Sequence, residues 1–167
     1  MIQVYTGNGK GKTTASLGLA LRAVGADLKV YIAQFCKGRD YSELKVLKKI
    51  KNIKVEQFGR TCFIKRKASK IDKELAKKGL EKVKKVIQEK KYNLIILDEI
   101  NICFYYDLLR IEEVIEILKN TPKDIEIILT GRYAPKEIIK IADLVSEIKE
   151  IKHYFKKGII ARKGIEF

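Results

Sequence analysis

The run Thr6-Gly7-Asn8-Gly9-Lys10-Gly11-Lys12-Thr13-Thr14 stands between a short apolar stretch, Ile2 to Thr6, and an amphipathic stretch, Lys12 to Gly25. A strand that enters a glycine-rich turn and leaves it as a helix admits few folds. The turn must aim backbone N–H groups and a helix N-terminus at one point, and such a cradle holds phosphate oxygens. In the common form of this loop a glycine stands five residues before the Gly-Lys-Thr. Here that position is Thr6, and the glycines fall at 7, 9 and 11 instead. Three glycines still let the loop amides turn inward. Gly7, Asn8, Gly9, Lys10, Gly11 and Thr14 are therefore expected to surround the triphosphate of ATP. Lys12 is expected to reach its terminal phosphates, and Thr13 to offer a hydroxyl to Mg²⁺ or Mn²⁺.

The remainder of the chain keeps alternating strand and helix. Leu28 to Phe35, Ile53 to Phe58, Asn93 to Asp98 and Ile125 to Thr130 read as strands. Ser42 to Ile50, Ala68 to Lys91, Ile111 to Asn120 and Pro135 to Ala142 read as helices, the last opened by its proline. Leu144 to Ile148 and Gly158 to Phe167 are expected to finish the sheet. Nothing resembling a repeat or a linker interrupts the pattern, so residues 1–167 are expected to form one domain. Alternating βα units build a mostly parallel sheet with helices on both faces, here a single-domain α/β fold of the P-loop, RecA-like kind. Ligands then lie at the carboxyl ends of the strands.

Two further features sit at such ends. Leu94-Ile95-Ile96-Leu97 is a continuous apolar run, as a strand covered on both faces requires, and Asp98-Glu99 ends it. Beside a phosphate loop, such an acid holds the metal ion. If the strand continues, Asp98 and Glu99 face opposite ways, so one of them touches the metal and the sequence leaves open which. The bland reading is that the pair begins a loop and caps a helix starting near Asn101. Thr130-Gly131-Arg132 ends the next strand, with a glycine that permits close backbone approach and a guanidinium able to fork onto phosphate.

The net charge is +15, from 36 basic and 21 acidic residues. Much of the excess lies between Lys65 and Lys91, where twelve basic residues face four acidic ones. Ile71, Leu75, Leu80, Val83 and Ile87 are expected on the opposite face of that helix. Lysines opposite an apolar stripe make a solvated helix face, and no aromatic residues are interleaved for base stacking, so nucleic acid is not expected. Cys36, Cys62 and Cys103 are odd in number and form no CxxC pair, which gives neither a bridge set nor a zinc site. Met1 to Tyr5 lead straight into the loop, so no signal or transit peptide is expected. No apolar run reaches the roughly 20 residues of a bilayer span, and a cytoplasmic protein with no membrane contact is expected.

Several blocks resemble the P-loop ATP:corrinoid adenosyltransferases. They are Tyr5 to Ala15; Gln34-Phe35-Cys36-Lys37-Gly38; Leu97-Asp98-Glu99-Ile100; Thr130-Gly131-Arg132; Ala142 to Glu147; Lys152-His153; Gly158-Ile159; and Gly164-Ile165-Glu166-Phe167. The resemblance covers nearly the whole chain. It implies attack by the Co(I) of a cobalamin- or cobinamide-type corrinoid on the 5′-carbon of ATP, with inorganic triphosphate leaving. It also implies ATP bound in reversed orientation, a homodimer, and a reduced flavoprotein as electron donor. Cobalt is the nucleophile, so no general base is needed and His153 is expected to be structural. Lys12 and Glu99 would act on the triphosphate and its metal, and Arg132 on the nucleotide. Where the family usually reads Gly-Phe-Thr-Trp, this chain has Gly59-Arg60-Thr61-Cys62-Phe63-Ile64. Phe63 is the candidate for displacing the lower axial ligand of the corrinoid. The competing readings are a phosphotransferase or NTPase acting at the γ-phosphate, and a nucleic-acid-binding regulator.

Overall fold

A computed structural model describes residues 1–61 and 67–167. Six strands form one sheet: β1 Ile2–Thr6, β2 Val30–Phe35, β3 Ile53–Phe58, β4 Leu94–Asp98, β5 Glu126–Thr130 and β6 Leu144–Glu147. Their order is β3-β2-β4-β5-β1-β6, and every pairing is parallel. The helices are α1 Lys12–Gly25, α2 Ser42–Leu47, α3 Lys70–Glu89, α4 Ile100–Tyr105, α5 Ile111–Lys119 and α6 Lys136–Ile141.

Alternation along the central strands divides the core in two. Tyr31, Ala33, Phe35, Ile95, Leu97, Ile127 and Leu129 pack with α3, α4, α5 and α6. Val30, Ile32, Leu94, Ile96 and Ile128 pack with Ala20 and Ala23 of α1 and Leu47 of α2. Both faces of β2 and β4 are thus covered, and every residue of each is buried. This is why they read as unbroken apolar runs.

Two expectations need correction. Gly158 to Phe167 is not a strand; it follows a 3₁₀ turn, Tyr154–Lys157, as turns and extended chain. Its apolar residues look outward, Ile160 being 75% exposed. Ile71 is also on the outside of α3, because the buried stripe runs through Asp72, Ala76, Gly79, Leu80, Val83, Val86 and Ile87. As expected, β4 stops at Asp98; Glu99 turns into the left-handed region, φ 61°, so strand alternation does not separate the two acids.

The shift of that stripe puts Asp72 inside. Ser69 caps α3 by accepting from the Asp72 N–H, while the Ser69 N–H donates back to Asp72 Oδ2 at 2.8 Å. Arg60 forks onto the same carboxylate, Nε to Oδ1 at 2.7 Å and Nη2 to Oδ2 at 2.8 Å. The Arg60 hydrogen bonds hold the Asp72 carboxyl down to about 2. A depressed carboxyl stabilises the fold above the ordinary value near 4 and loses that contribution as pH falls through about 2. Asp72→Asn is expected to cost about 2 kcal/mol in urea melts at pH 7, the gap from the parent shrinking between about pH 4 and pH 2.

Candidate active site

The turn out of β1 brings the glycine-rich loop to the carboxyl edge of the sheet. Gly7 has φ 99°, and a Cβ there would run into the carbonyl oxygen of Ile148, just past β6. The Gly9 N–H donates to the same oxygen at 2.8 Å, and Asn8 Oδ1 accepts from the Glu150 N–H at 3.1 Å. The chain leaving β6 therefore backs the loop, which explains the early glycine at 7. Gly11 precedes α1 at φ 122°, another position that only glycine takes without strain.

Lys12 is 7% exposed, and its Nζ donates to Gly9 O at 2.6 Å, within the loop. Burial lowers its ammonium below the ordinary lysine value, while the charge of Glu99 opposes the shift. The Lys10 side chain turns away from the loop's interior toward the C-terminal segment. Its Nζ donates to Tyr154 Oη at 2.9 Å, Ile165 O at 3.0 Å and Glu166 Oε1 at 2.7 Å. Thr14 is exposed at the start of α1.

The strand order places β5 between β1 and β4, and Thr130 at its end joins the two sides. Thr130 Oγ1 donates to Asp98 Oδ1 at 2.8 Å and accepts from the Glu99 N–H at 2.9 Å. Thr13 Oγ1 donates to the same Asp98 oxygen at 2.9 Å. The other carboxylate oxygen accepts from Lys37 Nζ at 2.7 Å and Gln34 Nε2 at 3.2 Å. Asp98 is 1% exposed and receives a donor at every principal lone pair. Burial alone would lower the Lys37 ammonium, but the charge and hydrogen bond of Asp98 outweigh it and move it up.

Glu99 is the contrasting acid. Among the described residues its carboxylate has no hydrogen-bond or ion-pair partner. Burial raises its carboxyl, the Asp98 charge raises it further, and Lys37, Lys12 and Arg132 act against both. Glu99 stands at the N-cap of α4 without capping it through its side chain, so the bland reading of a helix cap does not hold for that carboxylate. Gly131 lets the next loop come close: at φ 128°, an added Cβ would sit 3.0 Å from Asn101 Cβ. Arg132 follows it, exposed, near enough for its charge to act on both Lys12 and Glu99.

The loop, Thr13, Asp98, Glu99 and Arg132 thus share one edge of the sheet. Phe63 lies outside the described residues. His153 caps the 3₁₀ turn through Nδ1, which accepts from the Phe155 N–H at 3.1 Å. Lys37, Gln34 and Thr130 carry the Asp98 network, and residue-by-residue reading gave them no role. The available signal was that Gln34 and Lys37 fall at the end of β2, the strand paired with β4. Register sets Gln34 directly beside Asp98.

This constellation suits a nucleotide triphosphate and a hard cation, and comparison with known proteins narrows it. Residues 1–167 match the family model described as ATP:corrinoid adenosyltransferase BtuR/CobO/CobP. The chain is 37% identical over its full length to a corrinoid adenosyltransferase of Sinorhizobium sp., covering 80% of that protein. It is 33% identical to the corrinoid adenosyltransferase of Escherichia coli K12, again over its full length and 85% of the relative. The corrinoid adenosyltransferase CobA of Salmonella typhimurium LT2 is similar to the same extent, 33% identical with 85% of it covered. The chain therefore belongs to the ATP:corrinoid adenosyltransferase family BtuR/CobO/CobP.

Proposed function

We propose that the chain moves the 5′-deoxyadenosyl group of ATP onto the Co(I) of a corrinoid, releasing inorganic triphosphate. The observation that carries this reading is the agreement of the family match with a site rich in triphosphate-binding groups. Such a transfer needs little else from the protein. The leaving group is the whole triphosphate, so the site must neutralise all of it and hold the 5′-carbon in line with cobalt.

Lys12 and the loop amides other than that of Gly9, which Ile148 O already holds, supply that neutralisation, and Arg132 adds a second cation at the edge. The oxygens of Thr13 and of the unpartnered Glu99 fit a hard divalent cation and would hold Mg²⁺ or Mn²⁺. Such a cation spreads the negative charge of the departing triphosphate. Asp98 already accepts four hydrogen bonds and acts through Thr13, fixing where that hydroxyl points. Buried donors and acceptors set in advance act more strongly than the same groups in water.

Phe63 is proposed to press on the lower face of the corrinoid and remove its axial ligand. A reduced flavoprotein is proposed as the source of the electron. Phe63→Ala is then expected to slow turnover at least about tenfold when a protein must reduce Co(II), and only slightly when Co(I) is supplied chemically. Equal losses in both assays with a lower Tm would make Phe63 a packing residue. A homodimer is also proposed, supported by the edge strand β6, each of whose four residues is exposed, and by the exposed Ile151, Phe155 and Ile160.

The test of the function is anaerobic incubation with ATP, Mg²⁺ and chemically reduced cobalamin. Conversion of the Co(I) spectrum to that of a light-sensitive alkyl corrinoid is expected. A spectrum unchanged by addition of the protein contradicts the reading.

A further inference from the structure

The reaction described above has no use for Cys36 and Cys103, yet the fold brings their sulfurs to 3.6 Å from chain positions 67 residues apart. Cys36 follows β2, half-buried, with its backbone in the left-handed region at φ 54°. That conformation has no preference for cysteine. Cys103 lies on α4, wholly buried in the core cluster around Ile100, Leu97 and Val114. Both are free thiols. Each also adjoins the site. Cys36 directly precedes Lys37, whose ammonium is 2.7 Å from Asp98 and 3.4 Å from Thr13 Oγ1. Cys103 stands about one helical turn beyond Glu99.

We propose that Cys36 and Cys103 are a modification site: they close to a reversible intramolecular disulfide that ties the exit of β2 to α4 and draws Lys37 away from Asp98. The oxidant is a small-molecule disulfide. The Cys36 thiolate attacks one of its sulfurs, and one small thiol leaves. The Cys103 sulfur then gives up its proton and attacks the Cys36 sulfur, releasing the second small thiol. Two protein thiols are oxidised to one disulfide, and one small disulfide is reduced to two thiols. Cys36 reacts first because it alone of the pair reaches solvent, and burial raises the Cys103 thiol, so the second step is the slow one.

A disulfide bond is about 2.05 Å long, so the sulfurs must approach by about 1.5 Å. Cys103 is locked in a close-packed core, where displacement is resisted on every side. The movement therefore falls on the part-exposed Cys36 and its neighbour Lys37. Loss of the Lys37 contact leaves Asp98 Oδ2 with Gln34 alone and loosens the carboxylate that orients Thr13. That consequence rests on the function proposed above; the bond itself does not.

Trypsin separates the three cysteines, placing Cys36 in peptide 30–37, Cys62 in 61–65 and Cys103 in 92–110. The full chain is treated anaerobically with oxidised glutathione, alkylated, digested and weighed, and adenosyl transfer is measured in parallel. Peptides 30–37 and 92–110 are expected to appear joined, with turnover at least tenfold lower and restored by dithiothreitol. Cys36→Ser should show the basal rate, no joined peptide and no response to the oxidant. Cys103→Ser should stop at a glutathione adduct on peptide 30–37. Unjoined peptides, or 61–65 as the main partner, overturn the proposal. A 30–37 to 92–110 link with unchanged turnover overturns the part concerning Lys37. Linkage is read by mass alone, so a chain that forms the bond but never adenosylates a corrinoid refutes the function and leaves the thiol pair standing.

Discussion

Lys12→Ala is expected to lower kcat/KM for ATP about a thousandfold while the protein still melts cooperatively near the parent temperature. The rate loss follows from removing a buried cation aimed at charge that develops as triphosphate departs, which elsewhere costs two to three orders of magnitude per donor. The small stability effect follows from what Lys12 touches. Its ammonium makes one hydrogen bond, to Gly9 O, and burial already disfavours its charge. Losing that bond costs about 1 kcal/mol. Steady-state kinetics and a thermal melt on the same preparation check both halves. Near-parental turnover would remove Lys12 from the reaction, and a collapsed melt would make it a packing residue.

The two neighbouring acids should separate cleanly. Asp98→Ala strips the counter-ion from Lys37, whose side chain is 13% exposed, and leaves Thr13, Thr130 and Gln34 without their shared acceptor. Breaking a buried pair in this way costs about 3–5 kcal/mol, so a large fall in Tm should accompany the lost activity. Glu99→Gln removes a charge that has no partner among the described residues and lies against Asp98. Its Tm should hold or rise, while turnover drops about a hundredfold and the Mg²⁺ concentration for half-maximal rate increases. If Glu99→Gln is as unstable as Asp98→Ala, the division between an orienting acid and a chemical acid fails. If both variants turn over normally, neither acid serves the metal.

Local pattern made part of this site legible, and pairing between distant strands hid the rest. The strand, loop and helix from Ile2 to Gly25 are contiguous, and the apolar run ahead of Asp98 announces a covered strand. Sequence therefore brought Lys12, Thr13, Asp98 and Glu99 forward together. Lys37 and Thr130 were less visible because their role exists only through Asp98, and those contacts span 61 and 32 residues. The placing of Glu99 relative to Asp98 was open in sequence because a single left-handed residue cancels strand alternation, and nothing in Leu97-Asp98-Glu99 signals it. The C-terminal segment misled for another reason. Ile159, Ile160, Ile165 and Phe167 have strand composition, but no strand of the sheet pairs with them, and they stay exposed. That segment's polar groups instead reach back to Lys10, through Tyr154 and Glu166.

The proposed transfer breaks a bond at the 5′-carbon and not at a phosphorus atom. Phosphorus NMR of the products, taken after anaerobic turnover with ATP and Co(I) cobalamin, addresses this directly. Inorganic triphosphate in one-to-one ratio with adenosylated corrinoid is the predicted result. ADP and inorganic phosphate as the first products, with no carbon bound to cobalt, would contradict adenosyl transfer and place the chemistry at the γ-phosphate.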